Sequence, residues 1–85
     1  MEEVFIVHRE MDSEDFERRG FTIIGVYKTR EAAEKALAAE KQRILKDEEW
    51  AKTGDVVYNE PGLYEVCESN GCESITACIE KRKVQ

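Results

Sequence analysis

Three cysteines, a single histidine and two opposed glutamates are the residues of this 85-residue chain whose types could do chemistry. Cys67, Cys72 and Cys78 stand in a C-x4-C-x5-C arrangement. A zinc centre needs its thiolates in one coordination sphere, with sulfur bonds of about 2.3 Å. Cys72 and Cys78 lie six residues apart on one expected strand, roughly 20 Å at the usual rise per residue. They cannot share a zinc ion, so no metal and no cofactor is expected. Cys67 and Cys72 are diagonal neighbours across a hairpin, where a strained disulfide is conceivable. An odd cysteine count in a chain of cytosolic character points instead to reduced thiols. His8 has no Ser, Cys or Asp motif beside it, so no nucleophilic triad is visible. There is no phosphate-cradling glycine loop, no H-E-x-x-H and no paired C-x-x-C. His8 is read as a strand-end residue with ordinary hydrogen bonds, and the chain is read as not an enzyme.

Glu68 and Glu73 carry a different signal. Like charges directly opposed across strands are destabilising. A local rule broken without visible compensation is where function can lie. The bland alternative is a solvated hairpin tip, where screening shrinks the cost.

The elements that must position these residues follow from the alternation of apolar and polar side chains. Leu63 to Glu80, LYEVCESNGCESITACIE, contains Asn70-Gly71 between alternating residues. That is the signature of a hairpin with a two-residue type I′ turn. In its register Ser69 faces Cys72, Glu68 faces Glu73, Cys67 faces Ser74, Val66 faces Ile75 and Tyr64 faces Ala77. Tyr64, Val66, Ile75, Ala77 and Ile79 then form an apolar face. Glu65, Cys67, Ser69, Cys72, Ser74, Thr76 and Cys78 form the opposite, polar one.

The apolar face needs a cover, and Phe21 to Leu45 supplies it: a strand, a tight turn and a helix folding back. Phe21, Ile23, Ile24, Val26 and Tyr27 suit a strand, and apolar residues on both parities suggest a central one. Gly25 interrupts it, either as a packing site under the helix or as a point of close approach. Thr29 stands at the N-cap, able to accept from the N–H of Glu31 or Ala32. Ala33, Leu37, the stem of Lys41 and Ile44, with Ala36 and Leu45 beside them, make one stripe at helical spacing. The helix can run on to Trp50, with Gly54 as its C-terminal stop. Trp50 either anchors the helix end on the core or serves as an exposed partner anchor.

Upstream, Glu3 to Arg9 reads as a first strand pairing antiparallel with the second. Glu10 to Gly20 reads as a long charged connection. Asp12, Glu14 and Asp15 within it lack the glycine and distal glutamate of a calcium loop, leaving a solvated loop. Val56, Val57 and Tyr58 offer a short edge strand before the turn Asn59-Glu60-Pro61-Gly62.

Composition bounds the rest. The length suits a single domain over residues 1–85, burying roughly 60% of its unfolded surface. Charged residues are 38% of the chain and the net charge is −6. Nucleic-acid binding through a basic face is therefore not expected. Segment 54–80 holds Asp55, Glu60, Glu65, Glu68, Glu73 and Glu80 and no Lys or Arg. Such a surface favours a basic partner and salt-sensitive association. No run is long and apolar enough to cross a membrane, and Met1-Glu2-Glu3 has the wrong charge for a secretory signal. A cytoplasmic location is the expectation.

The run VFIVH, a charged loop, then IIGVYKTREAAEKAL and a closing strand resembles a family of small uncharacterised bacterial and phage-borne ββαββ domains. The resemblance covers residues 3 to 45, and it brings no known activity. It implies topology, while the link from Lys46 to Gly62 and the cysteine-bearing hairpin depart from it. The sequence thus predicts an α+β fold: an antiparallel sheet of about four strands, ββαββ, with one long helix packed on one face. The function it favours is a non-enzymatic acidic protein–protein interaction module, of the kind a phage or mobile element carries as an inhibitor or accessory. Glu65, Glu68, Glu73 and Tyr58 would contact a basic protein surface. The alternative is a thiol redox or metal-responsive switch using Cys67 and Cys72, and a homodimer through edge strands or the outer face is a further option.

Overall fold

The first and last strands hold the sheet together. The computed structural model describes residues 2–14, 19–69, 71 and 73–84. Strand β1 (Glu2–Ser13) pairs antiparallel with β5 (Glu73–Val84) over all 12 positions, from Glu2 opposite Val84 to Ser13 opposite Glu73. β2 (Gly20–Tyr27) lies on the far side of β1. β4 (Leu63–Cys67) lies on the far side of β5, and β3 (Asp55–Glu60) beyond it. The strand order is β2-β1-β5-β4-β3, with every neighbouring pair antiparallel. Helix α1 (Arg30–Asp47) packs on one face.

That sheet has five strands where about four were expected. The fifth is DVVYNE, a complete edge strand whose six residues are all exposed. β1 also runs on to Ser13, so the first four residues of the expected charged loop, Glu10 to Ser13, are strand. Phe16 and Asp15 lie outside the described residues.

The core forms where strand parity meets helical spacing. Val7, Tyr64, Val66, Ile75 and Ala77 are buried against Ala33, Leu37 and Ile44. Burying a side chain of the Val or Ile kind contributes about 1.5–3 kcal/mol. Thr29 caps the helix as its sequence predicts, its hydroxyl accepting from Ala32 N–H at 3.1 Å. The stripe differs at one position. Glu40, not the stem of Lys41, is the buried residue between Leu37 and Ile44.

The helix also stops sooner than expected. Glu48 is extended, at φ −112° and ψ 101°, and Gly54 is not the helix stop. The run Asp47-Glu48-Glu49 sets acids at the negative end of the helix dipole, which disfavours continuation. A separate 3-10 turn, Glu49–Lys52, follows and buries Ala51. Trp50 packs on the core from this turn, so its anchoring role is structural. Its indole N–H is buried without a hydrogen-bond partner among the described residues.

β2 is an edge strand, not the central one its composition suggests. Apolar residues on both parities mislead because, among the described residues, nothing covers one face of the sheet. Phe21, Ile23 and Val26 are 60, 57 and 58% exposed. Gly25 sits at a β-bulge: Val7 pairs with it and His8 pairs with Ile23, leaving Ile24 extra. A Cβ there would fall 2.6 Å from the Tyr27 hydroxyl, so the crowding comes from Tyr27 rather than from the helix.

The β4–β5 register matches its prediction at Cys67–Ser74, Val66–Ile75 and Tyr64–Ala77. At the tip Glu68 N–H donates to Glu73 O at 2.8 Å, in keeping with the expected Glu68–Glu73 pairing, and Gly71 N–H donates to Glu68 O at 2.8 Å. The two-residue turn expected at Asn70-Gly71 falls in part outside the described residues. Gly71, at φ 79°, supplies the positive-φ residue that leaves the turn. The predicted Ser69–Cys72 pair lies outside the described residues.

Candidate functional site

The uncovered face of the sheet carries most of the chemistry-bearing residues. His8 on β1 and Cys78 on β5 are cross-strand partners. The Cys78 sulfur lies 3.2 Å from His8 Nε2, and Glu80 Oε2 lies 3.9 Å from the same nitrogen. The imidazole also meets Phe21, with ring centroids 5.1 Å apart. Local sequence gave no sign of this cluster, because its members are 70 positions apart. Only the β1–β5 pairing brings them together.

A Cys–His pair suggests nucleophilic catalysis, but the electrostatics oppose it. Burial pushes the Cys78 thiol up, and the carboxylates of Glu80 and Glu10 push it further. A nucleophilic cysteine needs the opposite shift, toward thiolate. Cys67 behaves alike, raised first by burial and then by Glu65 and Asp55. Both are free thiols. Cys67 pairs with Ser74, four residues from Cys78 along β5, a separation of roughly 13 Å that no disulfide spans. Cys72 lies outside the described residues. Among those residues no group of three or more His, Cys, Asp or Glu could hold a metal ion.

The expected contact residues divide between two places. Tyr58 and Glu65 are cross-strand partners on β3 and β4, and the Cys67 thiol stands 4.0 Å from Glu65 Oε2. Glu68 and Glu73 sit together at the hairpin tip. Glu73 has the parity of the covered face and accepts a hydrogen bond from the buried Ser13 hydroxyl at 3.5 Å. The like-charge pair is therefore partly relieved from within the chain. The thiols and Glu65 share the open face, with Phe21, Ile23 and Val26 forming its apolar end.

The covered side holds two grooves that sequence reasoning missed. One, of about 300 Å3, runs between α1 and the β1–β2 pair and is lined by Arg9, Glu40 and Arg43. The carboxylate of Glu40 is 2% exposed. It accepts from Arg43 Nη1 at 3.0 Å and from Arg9 Nη1 at 3.5 Å. The signal was present in the spacing 33, 37, 40, 44, which puts Glu40 on the apolar stripe. The other, of about 370 Å3, lies between α1 and the β3–β4 turn. There Lys41 Nζ donates to Asn59 Oδ1 at 2.7 Å and stands 5.2 Å from the Tyr64 ring centre. Burial raises the Tyr64 phenol pKa.

A family model described as a domain of unknown function, DUF7336, matches residues 2–74. The chain belongs to that family. The DUF7336 match takes in β1 to β4, α1 and the hairpin tip, while residues 75–84 of β5, Cys78 among them, lie beyond it. No curated protein and no solved structure matches the chain. No helix among the described residues is long and apolar enough to cross a membrane.

Proposed function

We propose that this domain is a non-enzymatic protein-interaction module that docks a basic partner protein on its open sheet face. One observation carries the reading. Exposed Phe21, Ile23 and Val26 adjoin a face whose carboxylates, Glu10, Glu65, Glu80 and Asp55, are close enough to raise both of its thiols. The apolar edge supplies contact area, and the acidic surround beside it steers a basic partner. Tyr58 and Glu65 belong to this face, with Glu68 and Glu73 as the charges of the hairpin tip. A phage or mobile-element inhibitor or accessory, acting in the cytoplasm, remains the setting suggested by the resemblance and the odd cysteine count. The thiol-switch alternative has only Cys67 among the described residues, and burial beside carboxylates favours its protonated form.

The test uses immobilised wild-type protein and the variants Ile23→Lys and Glu65→Lys, challenged with the soluble proteins of the source cell. Ile23 is exposed and Glu65 half-buried, so neither change enters the covered core. Proteins retained by the wild type at low salt, released by high salt and lost from both variants would support the reading. Equal retention by all three would remove it. A second reading, self-association along the exposed β2 edge, is favoured by the same three apolar residues. Light scattering that shows concentration-dependent doubling of mass, abolished by Ile23→Lys, would select it.

A further inference from the structure

We propose that the groove between α1 and the β1–β2 pair is a binding site for a monocarboxylate, gripped by Arg9 and Arg43 with Glu40 holding both guanidiniums in place. This goes beyond the interaction reading and concerns the opposite side of the sheet.

Two of the core-facing positions that break the local pattern meet at this groove. On β1 the covered parity reads Phe5, Val7, Arg9, Met11, with Arg9 among apolar residues packed on the core. On α1 the buried stripe reads Ala33, Leu37, Glu40, Ile44. An aliphatic residue at either position would pack as well. Replacing a buried ion pair by apolar residues of similar size is often neutral or stabilising, so stability gives a weak reason for this one. Binding gives a stronger one.

The geometry leaves donors over. Each arginine offers one nitrogen to Glu40, Nη1 in both cases. A guanidinium carries five N–H groups in a planar fork that matches a carboxylate in bidentate fashion. Arg9 is 22% exposed and Arg43 is 58% exposed, and both line the groove. Glu40 fixes their approach before a ligand arrives, which lowers the ordering cost of binding.

Charge and shape select the ligand class. Two arginines and one glutamate sum to +1, so a monoanion brings the site to neutrality. The chain's net charge of −6 opposes a dianion such as phosphate. Met11 and Ile24 provide apolar walls, and Thr22 adds a hydroxyl. At the rim, none of the described residues lies within 4 Å of where a Gly20 side chain would start. A short alkyl or aryl carboxylate fits, either as a free acid or as the terminus of a peptide.

The test is a titration of the 15N-labelled chain, followed by the amide signals of Arg9, Thr22 and Ile24 and the side-chain Nε of Arg43. Five probes are used: sodium butyrate, butyramide, inorganic phosphate, an alanine tripeptide with a free C-terminus, and the same tripeptide amidated. Butyrate should give saturable shifts confined to the groove, with a Kd on the order of 1 mM, fitting a ligand this small. Butyramide should give none. Arg43→Gln, at an exposed side chain, should weaken butyrate about tenfold, the loss of one charge-assisted contact. A free-acid tripeptide that binds more tightly than butyrate makes a peptide terminus the source; a weaker one makes it a free acid. Either result supports the class, provided the amidated peptide fails to bind. Butyramide matching butyrate, phosphate binding more tightly than butyrate, or Arg43→Gln titrating like the wild type would each overturn the proposal.

Discussion

His8 and Arg9 are consecutive on β1 and therefore project to opposite faces of the sheet. Each finds a polar partner from another element. Arg9 meets the buried carboxylate of Glu40 on α1, and His8 meets the Cys78 thiol on β5. The first pair sits under the helix, where removing one member strands a charge in a poorly solvated place. The second lies on the uncovered face among carboxylates that water and counterions screen. One strand thus delivers one polar residue bound to the stability of the fold and another that is nearly independent of it. Function that depends on exposure belongs with His8, and function that depends on a fixed, preorganised charge belongs with Arg9.

The largest expected effect tests the covered pair. Glu40→Ala should cost about 3 kcal/mol, because it leaves the Arg9 charge unpaired beneath the helix. The double variant Arg9→Met with Glu40→Leu should recover most of that loss, since both charges are then gone and the volume is kept. Urea denaturation of the two variants and the wild type measures both numbers. A Glu40→Ala cost below about 0.5 kcal/mol, the range of an ordinary surface change, would break the contrast between the two faces.

The next effect lies at the start of the helix that carries Glu40. Thr29→Ala should cost about 1 kcal/mol, as the Ala32 N–H loses its acceptor. Thr29→Ser should keep most of it. Thermal melts of the two variants separate a lost cap from a general loss of packing.

The covered side was only partly legible in the sequence. Thr29, Ala33, Leu37 and Ile44 could be placed because capping and helical spacing are local rules. The β4–β5 register could be placed because alternation either side of Asn70-Gly71 allows one answer, whatever the turn type. Glu40 is not legible as part of the core, because a charged residue on the stripe reads as an imperfection until Arg9 is known to face it. Knowing that requires the β1–β5 pairing, which joins the two ends of the described chain and leaves no local trace. The position of β2 is hidden for a related reason. Phe21, Ile23 and Val26 look like core, and nothing local reveals that their face of the sheet is uncovered.

Effects on the open face should be smaller. His8→Ala removes a thiol contact and a ring contact with Phe21, worth about 0.5–1 kcal/mol together. Comparing its urea midpoint with that of Glu40→Ala places the two faces on one scale. A loss as large as that of Glu40→Ala would mean that the open pair also supports the fold.

The smallest effect is a pH dependence at Cys78. Burial, then Glu80, then Glu10 push its thiol above the ordinary value of about 9. The folded chain therefore holds this proton to higher pH than the unfolded chain does. The linked stability is complete below the ordinary value and is lost as pH rises through it toward the folded one. Cys78→Ala removes the titrating group and with it this loss. The stability difference between variant and wild type should stay constant from about pH 6 to pH 8, and above about pH 9 the wild type should fall more steeply. The same shift should make Cys78 slower to react with iodoacetamide than glutathione at equal pH, since thiolate is the reacting form. Parallel alkaline slopes together with fast alkylation would mean that the carboxylates of this face do not act on the thiol, and the acidic surround proposed to steer a basic partner would lose its local support.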